Sequence, residues 1–328
     1  MIRALYFEPG RGIRTDVPPH EFSSLTRNRR SLLWVDFAGE PPEACLPILQ
    51  NFGFHPLSID DALQETHIPK LDDWGDYLYI VLNYMRAQKQ ADDWDMAVDE
   101  LDVFLGTNYI VTHHDHPIAA VDATWQACDR DTRLLQDGAD HLLYKITDYL
   151  VADYMPIIEE IDDAIDEVED QIFERPSPHT LARLFVLKRV LLAMRRILLP
   201  QREVLNRLAR DPYRVIDPKD RIFFRDIYDH LVRLHDLNES LRDLVGGAQD
   251  TYLSVVNNRM NEIMKTLTII TVLFMPLTFL TGYFGMNYFE PPGTLNAWTR
   301  EPVFYLTLAI IFLTPFIMYF WMRRRTWV

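Results

Sequence analysis

Within the first 125 residues, apolar positions alternate with polar ones, or run together, in five short stretches. These are Ile2–Phe7, Leu32–Phe37, Tyr77–Met85, Ala97–Leu105 and Tyr109–Thr112. A period of two, with β-branched and aromatic enrichment, predicts strands. Pro42–Phe52 and Leu57–Gln64 read as short helices between them, and Arg86–Asp95 reads as a polar hairpin loop. The central strands are apolar at consecutive positions, as expected for a sheet covered by helices on both faces. Residues 1–125 are thus expected to form one α/β domain.

From about Asp122 the period becomes helical and stays so. Within Leu142–Glu174, Ile158, Ile161, Ile165, Val168 and Ile172 form an apolar seam in steps of three and four. The opposite face, from Glu159 to Asp170, is acidic and reads as a solvated face or as a partner for a basic neighbour. Ser177-Pro178 supplies a cap and a first-turn proline for the next helix, Pro178–Ala209. That helix carries Lys188, Arg189, Arg195, Arg196, Arg202 and Arg207, so 126–216 should pack as an antiparallel acidic–basic hairpin, with Pro200 kinking or splitting its second arm. Asp217-Pro218 repeats the cap-plus-proline start. Pro218–Tyr283 then reads as one helix on the order of 100 Å long, or as one with a soft point at Gly246-Gly247.

The end of that helix changes character. Thr266–Phe289 holds no charged residue, enough to cross a hydrocarbon core of ~30 Å. A second uncharged run, Val303–Met322, follows a short loop. The expected order is a stalk at 217–265, a span at 266–287, a loop at 288–302, a second span at 303–322 and a basic tail at 323–328. Arg259 and Lys265 precede the first span and Arg323-Arg324-Arg325 follow the second, so the positive-inside rule places both termini in the cytoplasm.

The first span is unlike a lipid-facing anchor. Thr268, Thr271 and Thr278 recur at helical intervals, and the same stripe runs back through Met264, Asn261, Asn257, Ser254 and Asp250. Polar groups inside a span face a bundle interior or a water-filled path. The stripe therefore reads as a pore lining. Two spans cannot enclose a pore, so this reading requires a ring of subunits.

Composition narrows the partners. A net charge of −15 argues against nucleic acid and is compatible with handling cations. The mean hydropathy of −0.11 keeps the membrane share small. Cys45 and Cys128 fit neither a metal spacing nor a disulfide framework and read as buried free thiols. His113-His114-Asp115-His116, at a strand end, reads as a solvated loop or, less simply, a metal tract. There is no nucleophile elbow, phosphate loop or zinc-protease helix, so an enzyme is not expected.

Three features together resemble the CorA family of divalent-cation channels: Met275-Pro276-Leu277-Thr278-Phe279, Gly285-Met286-Asn287 at the end of a threonine-bearing span, and Phe223–His230 (FFRDIYDH). The resemblance covers nearly the whole chain. It implies an α+β cytosolic domain, a long-helix bundle and two C-terminal membrane helices, arranged as a pentameric funnel in a prokaryotic plasma membrane. It implies that Asn287 orders hydrated magnesium at the outer mouth, with Gly285 and Met286 completing the signature. Met264, Leu267 and Met275, on or beside the stripe, read as apolar constrictions or as ordinary helix-packing residues; Asp250, Asn261 and Thr278 read as polar stations, and Thr271 as a further lining residue. It further implies a regulatory magnesium site between subunits, with Asp60 and Asp61 facing Asp226. Hard oxygen ligands suit that ion.

The loop after Asn287 reads YFEPPGTLNAW where many family members carry an acidic M-P-E-L run, and Phe284 stands where a tyrosine is usual. These departures bear on ion choice. A magnesium channel, also passing cobalt or nickel, is the first reading. A zinc transporter of the ZntB branch and a non-conducting membrane-anchored sensor are the alternatives.

Overall fold

A computed structural model of the chain describes residues 1–15, 17–64, 68–90, 93–285 and 301–325. It divides into two compact units, Met1–Thr251 and Tyr252–Val328.

The first unit is built on a seven-stranded sheet of order β2-β1-β3-β7-β6-β5-β4. Its strands are β1 (Ile2–Glu8), β2 (Gly12–Arg14), β3 (Leu32–Ala38), β4 (Lys70–Asp73), β5 (Tyr77–Gln90), β6 (Asp93–Gly106) and β7 (Tyr109–His114). β3 and β7 pair in parallel, and the other neighbours are antiparallel. A short helix, α1 (Phe22–Leu25), precedes β3, and α2 (Pro42–Phe52) and α3 (Pro56–Leu63) follow it. Leu33, Val35, Phe37, Tyr79, Val81, Phe104 and Val111 point to one face and bury Cys45 and Leu49 of α2 with Ile59 and Ala62 of α3. The other face packs against α6 (Ala139–Ala152) and α8 (Pro178–Arg210), and Trp34 meets Trp125 of α4 (Ala119–Arg130) at 4.8 Å. Both faces are covered, as the unbroken apolar runs require.

One buried carboxylate fastens β1, β3 and β7 together. Asp36 accepts hydrogen bonds from Arg3 Nε at 2.8 Å and Thr112 Oγ1 at 2.5 Å, and His114 Nε2 lies 3.2 Å away. Burial pushes its pKa up, but the hydrogen bond and charge of His114, then Arg3 and Thr112, outweigh this and hold it below the usual carboxylate range. A lowered folded pKa means that the contribution is present above about pH 4 and is lost as the pH falls. Asp36→Ala takes the carboxylate away from buried His114 and leaves Arg3 with Asp122, and is expected to cost about 3 kcal/mol at neutral pH. Thermal unfolding of the full-length variant at pH 7 and pH 3.5 checks this: the difference from wild type should shrink in acid.

Four sequence expectations give way here. Arg86–Gln90 and Asp93–Asp95 of the polar stretch are strand and not loop: β5 and β6 pair from Tyr77↔Gly106 to Gln90↔Asp93. Antiparallel ladders tolerate polar side chains on a solvated ribbon, so polarity alone does not end a strand. Leu142–Glu174 is not one helix but two, α6 (Ala139–Ala152) and α7 (Tyr154–Glu174), preceded by the single turn α5 (Arg133–Gln136). The break lies at Asp153, which accepts a hydrogen bond from Tyr84 Oη at 3.1 Å. Pro200 does not split α8 (Pro178–Arg210). The adjoining Gln201 is buried, accepts from the Asn83 backbone N–H at 2.9 Å and donates to Tyr154 Oη at 3.0 Å, so tertiary bonds hold the turn where an intrahelical one is missing. Finally, α9 starts at Arg221 and not at Pro218. The Asp217 carboxylate caps a tight turn through Lys219 N at 3.1 Å, and Asp217 N donates to Asp140 Oδ2 at 2.8 Å.

The acidic and basic helices do pack as a hairpin. Ser177 Oγ accepts from Thr180 N at 3.2 Å at the start of α8, and Arg183 reaches Glu167 of α7 at 2.8 Å. Asn238 of α9 donates to the Leu191 carbonyl of α8 at 3.2 Å, a buried bond that fixes their register. α9 (Arg221–Phe284) is helical throughout its 64 residues, including Gly246-Gly247 and Pro276.

The second unit holds the end of α9 and α10 (Glu301–Arg324). Among the described residues these are the two helices long and apolar enough to cross a membrane, and their apolar windows are 0% and 6% buried within the chain. Hydrocarbon side chains exposed along two spans require lipid or further protein as their surroundings.

Candidate ion path and metal site

The stripe read as a pore lining lies on α9. Asp250 is an exposed residue of the first unit; Asn261, Met264, Leu267, Thr271, Met275 and Thr278 are exposed in the second. Gly285 ends the helix, its N–H donating to the Thr281 carbonyl at 2.9 Å; a Cβ there would lie 2.9 Å from that same oxygen. Met286 and Asn287 lie outside the described residues.

The threonines share one geometry. The hydroxyls of Thr268, Thr271, Thr278 and Thr281 donate to the carbonyls of Met264, Leu267, Phe274 and Leu277, four residues back, at 2.7–3.0 Å. A hydroxyl whose proton is committed inward presents oxygen lone pairs outward. At the threonine positions the stripe therefore presents acceptor oxygens, separated by thioether and isobutyl groups. Waters held by a divalent cation have their protons turned outward, so acceptors are what such an ion meets favourably.

The second candidate cluster begins on α3. Pro56 opens that helix and His55 Nδ1 accepts from Leu57 N at 3.2 Å, which fixes Ile59 and Ala62 in the core and turns Asp60 and Asp61 outward. Lys70 of β4 forms an ion pair with Asp61 and lies 3.6 Å from Asp72. Its ammonium also sits 5.2 Å above the Tyr79 ring. Burial lowers the Lys70 pKa, but Asp61 and Asp72 outweigh it and raise the value, so the cation is permanent at neutral pH. Asp226 is exposed on α9, between buried Phe224 and Ile227. Among the described residues no group of three or more His, Cys, Asp or Glu is placed to hold a metal. Lys70 escaped the sequence reading because no periodicity links it to Asp61, nine positions earlier.

His113 and His114 are not in a solvated loop. They are buried at the end of β7 and point to opposite faces. His113 Nδ1 lies 3.6 Å from Asp102, which accepts from Tyr79 Oη at 2.6 Å; His114 belongs to the Asp36 network. Burial lowers the His113 pKa, but its Asp102 and Cys45 neighbours raise it above the ordinary imidazole value. Charged residues hid this strand end from a hydropathy reading. Cys45 and Cys128 are free and buried, as expected.

The sequence profile of the CorA-like Mg2+ transporter protein family matches residues 29–324. The chain is 33% identical over 304 residues to the cobalt/magnesium transport protein CorA of Thermotoga maritima, covering 92% of this chain and 85% of that one. It is 28% identical to the zinc transport protein ZntB of Yersinia pestis, over 97% of this chain and 94% of the relative. The complete structure of the CorA magnesium transporter of Methanocaldococcus jannaschii superimposes with a TM-score of 0.80 at 22% identity, over 99% of this chain and 98% of that one, a likeness of fold. The chain belongs to the CorA-like Mg2+ transporter family.

Proposed function

We propose that this chain is the subunit of a homopentameric magnesium channel, which also passes cobalt or nickel, with α9 lining the pore. The observation that carries this reading is the inward commitment of the threonine hydroxyls, which leaves acceptor oxygens at helical intervals in an otherwise apolar span. An anchor has no use for such a stripe. In this reading residues 1–265 stand in the cytosol, 266–287 line the pore, 288–302 face outward, 303–322 meet lipid and 323–328 return to the cytosol. Asn287, with Gly285 and Met286, forms the outer mouth, where neutral amide oxygens hold magnesium through its tightly kept water shell. Met264, Leu267 and Met275 form apolar rings that oppose wetting.

Cytosolic magnesium bound between Asp61, with Asp60 beside it, and Asp226 of a neighbouring subunit holds the channel shut. Facing carboxylates repel by about 1 kcal/mol at 4 Å in water-like surroundings, and a dication reverses the sign. Moving a two-state gate from mostly open to mostly closed needs about 5.5 kcal/mol of differential binding. Several equivalent boundaries, each supplying about 1–3 kcal/mol, reach that together.

Flux into liposomes holding the purified full-length protein, compared for magnesium, cobalt, nickel and zinc, tests the reading. The expected result is saturable magnesium entry faster than that of zinc. A clear zinc preference moves the chain to the zinc branch, and no flux of any ion leaves a membrane-anchored sensor.

A further inference from the structure

Lys70 sits where a metal would have to work. Its ammonium pairs with the Asp61 carboxylate, with Asp72 at 3.6 Å, and rests on the face of Tyr79. That ring is itself held, since its hydroxyl donates to buried Asp102 at 2.6 Å. The side chains of Lys70 and Asp61 are 31% and 37% exposed, so the pair is neither fully solvated nor sealed. The cation is thus tethered by an aromatic face and a second carboxylate, and not merely swept over Asp61 by surface motion.

We propose that Lys70 is a built-in competitor for the regulatory cation: it neutralises Asp61 when no metal is bound and must be displaced or opposed when magnesium arrives. The proposal rests on the reading of Asp61 and Asp226 as the regulatory pair. Its physics is reciprocal. Without metal, the ammonium relieves the repulsion among Asp61, Asp72 and any facing carboxylate. With metal, the same positive charge stands a few ångströms from a dication and weakens its binding. The result is a higher magnesium threshold for closure than the carboxylates alone would set. A gate meant to respond near a cell's ordinary magnesium level needs such a weakened site.

The test uses the full-length oligomer in detergent, with magnesium alone as the probe. Protease protection of the first unit is titrated against magnesium, and thermal unfolding is followed in excess chelator and in excess magnesium. Lys70→Met should lower the half-protecting magnesium concentration on the order of tenfold, the effect of removing one unit charge near a dication in water-like surroundings. It should also lower the unfolding temperature in chelator and widen the rise that magnesium brings. Lys70→Arg, which keeps the charge, should stay near wild type in all three. Lys70→Gln serves as the second neutral variant. If the neutral variants assemble only when magnesium is present, that is the same effect at its limit. If they fail to assemble even with magnesium, or show an unchanged or raised midpoint, Lys70 is a structural tie and the proposal falls. The double variant Asp61→Asn with Asp226→Asn separates the two ideas. It should lose protection by magnesium; protection at the wild-type midpoint overturns the regulatory pair itself, whatever Lys70 does.

Discussion

Asn287→Ala is expected to abolish magnesium flux in liposomes while leaving the oligomer assembled. A neutral acceptor orders the water shell of a strongly hydrated ion at the mouth while holding the ion less tightly than a carboxylate would. A hydrogen bond to a charged species contributes about 1.5–3 kcal/mol, and a ring of amides presents several at once. Losing them all raises the entry barrier by several kcal/mol, or at least about a hundredfold in rate. Asn287→Asp should behave differently from alanine: flux persists but saturates at lower magnesium, because the charged ring holds the ion longer. Wild-type flux in a properly assembled Asn287→Ala oligomer would remove Asn287 from the pore mouth.

The second large effect belongs to the apolar rings proposed at Leu267 and Met264. Leu267 and Met264 are 56% and 54% exposed on the stripe face of α9, and Thr271 stands one turn beyond Leu267. A narrow apolar ring excludes water and so bars a hydrated ion. Leu267→Asp or Met264→Asp places carboxylates there, wets the constriction and lowers a barrier of a few kcal/mol. Each 1.4 kcal/mol is tenfold in rate, so leak at high internal magnesium should rise at least tenfold. The near-isosteric swaps Leu267→Met and Met264→Leu should not leak. Equal leak from both kinds of change would mean that helix packing had been disturbed.

Much of this architecture is legible without coordinates because its signals are redundant. The strand runs around Trp34, Ile80 and Val103 combine β-branching, apolar continuity and turn residues at their ends, and all three lie in the sheet. The stripe on α9 is legible for the same reason: its period is sustained from Asp250 to Thr278. Where a single signal stood alone, it misled. Polarity at Arg86–Asp95 concealed the end of a hairpin, proline at 200 suggested a break that Gln201 prevents, and charge at His113 and His114 suggested solvent where two aspartates wait in the core. β4 (Lys-Leu-Asp-Asp) has one apolar residue and no alternation to detect, yet it carries Lys70. The candidate metal cluster is least legible because an ion pair joins residues by position in space, and neither Asp61 nor Lys70 is unusual in its own segment.

The inward-turned threonines bear on a cargo other than metal. A proton moves along a hydrogen-bonded file only if each oxygen passes one proton forward as it takes another from behind. Thr268, Thr271 and Thr278 have already given theirs to carbonyls of their own helix. To join a relay, each would have to break that bond, worth about 1 kcal/mol net, and turn toward the lumen. In the proposed pore, the side chains that would meet a hydrated cation therefore form a poor wire for hydrogen ions. Such a path would offer magnesium its acceptors without its threonines handing protons across the membrane.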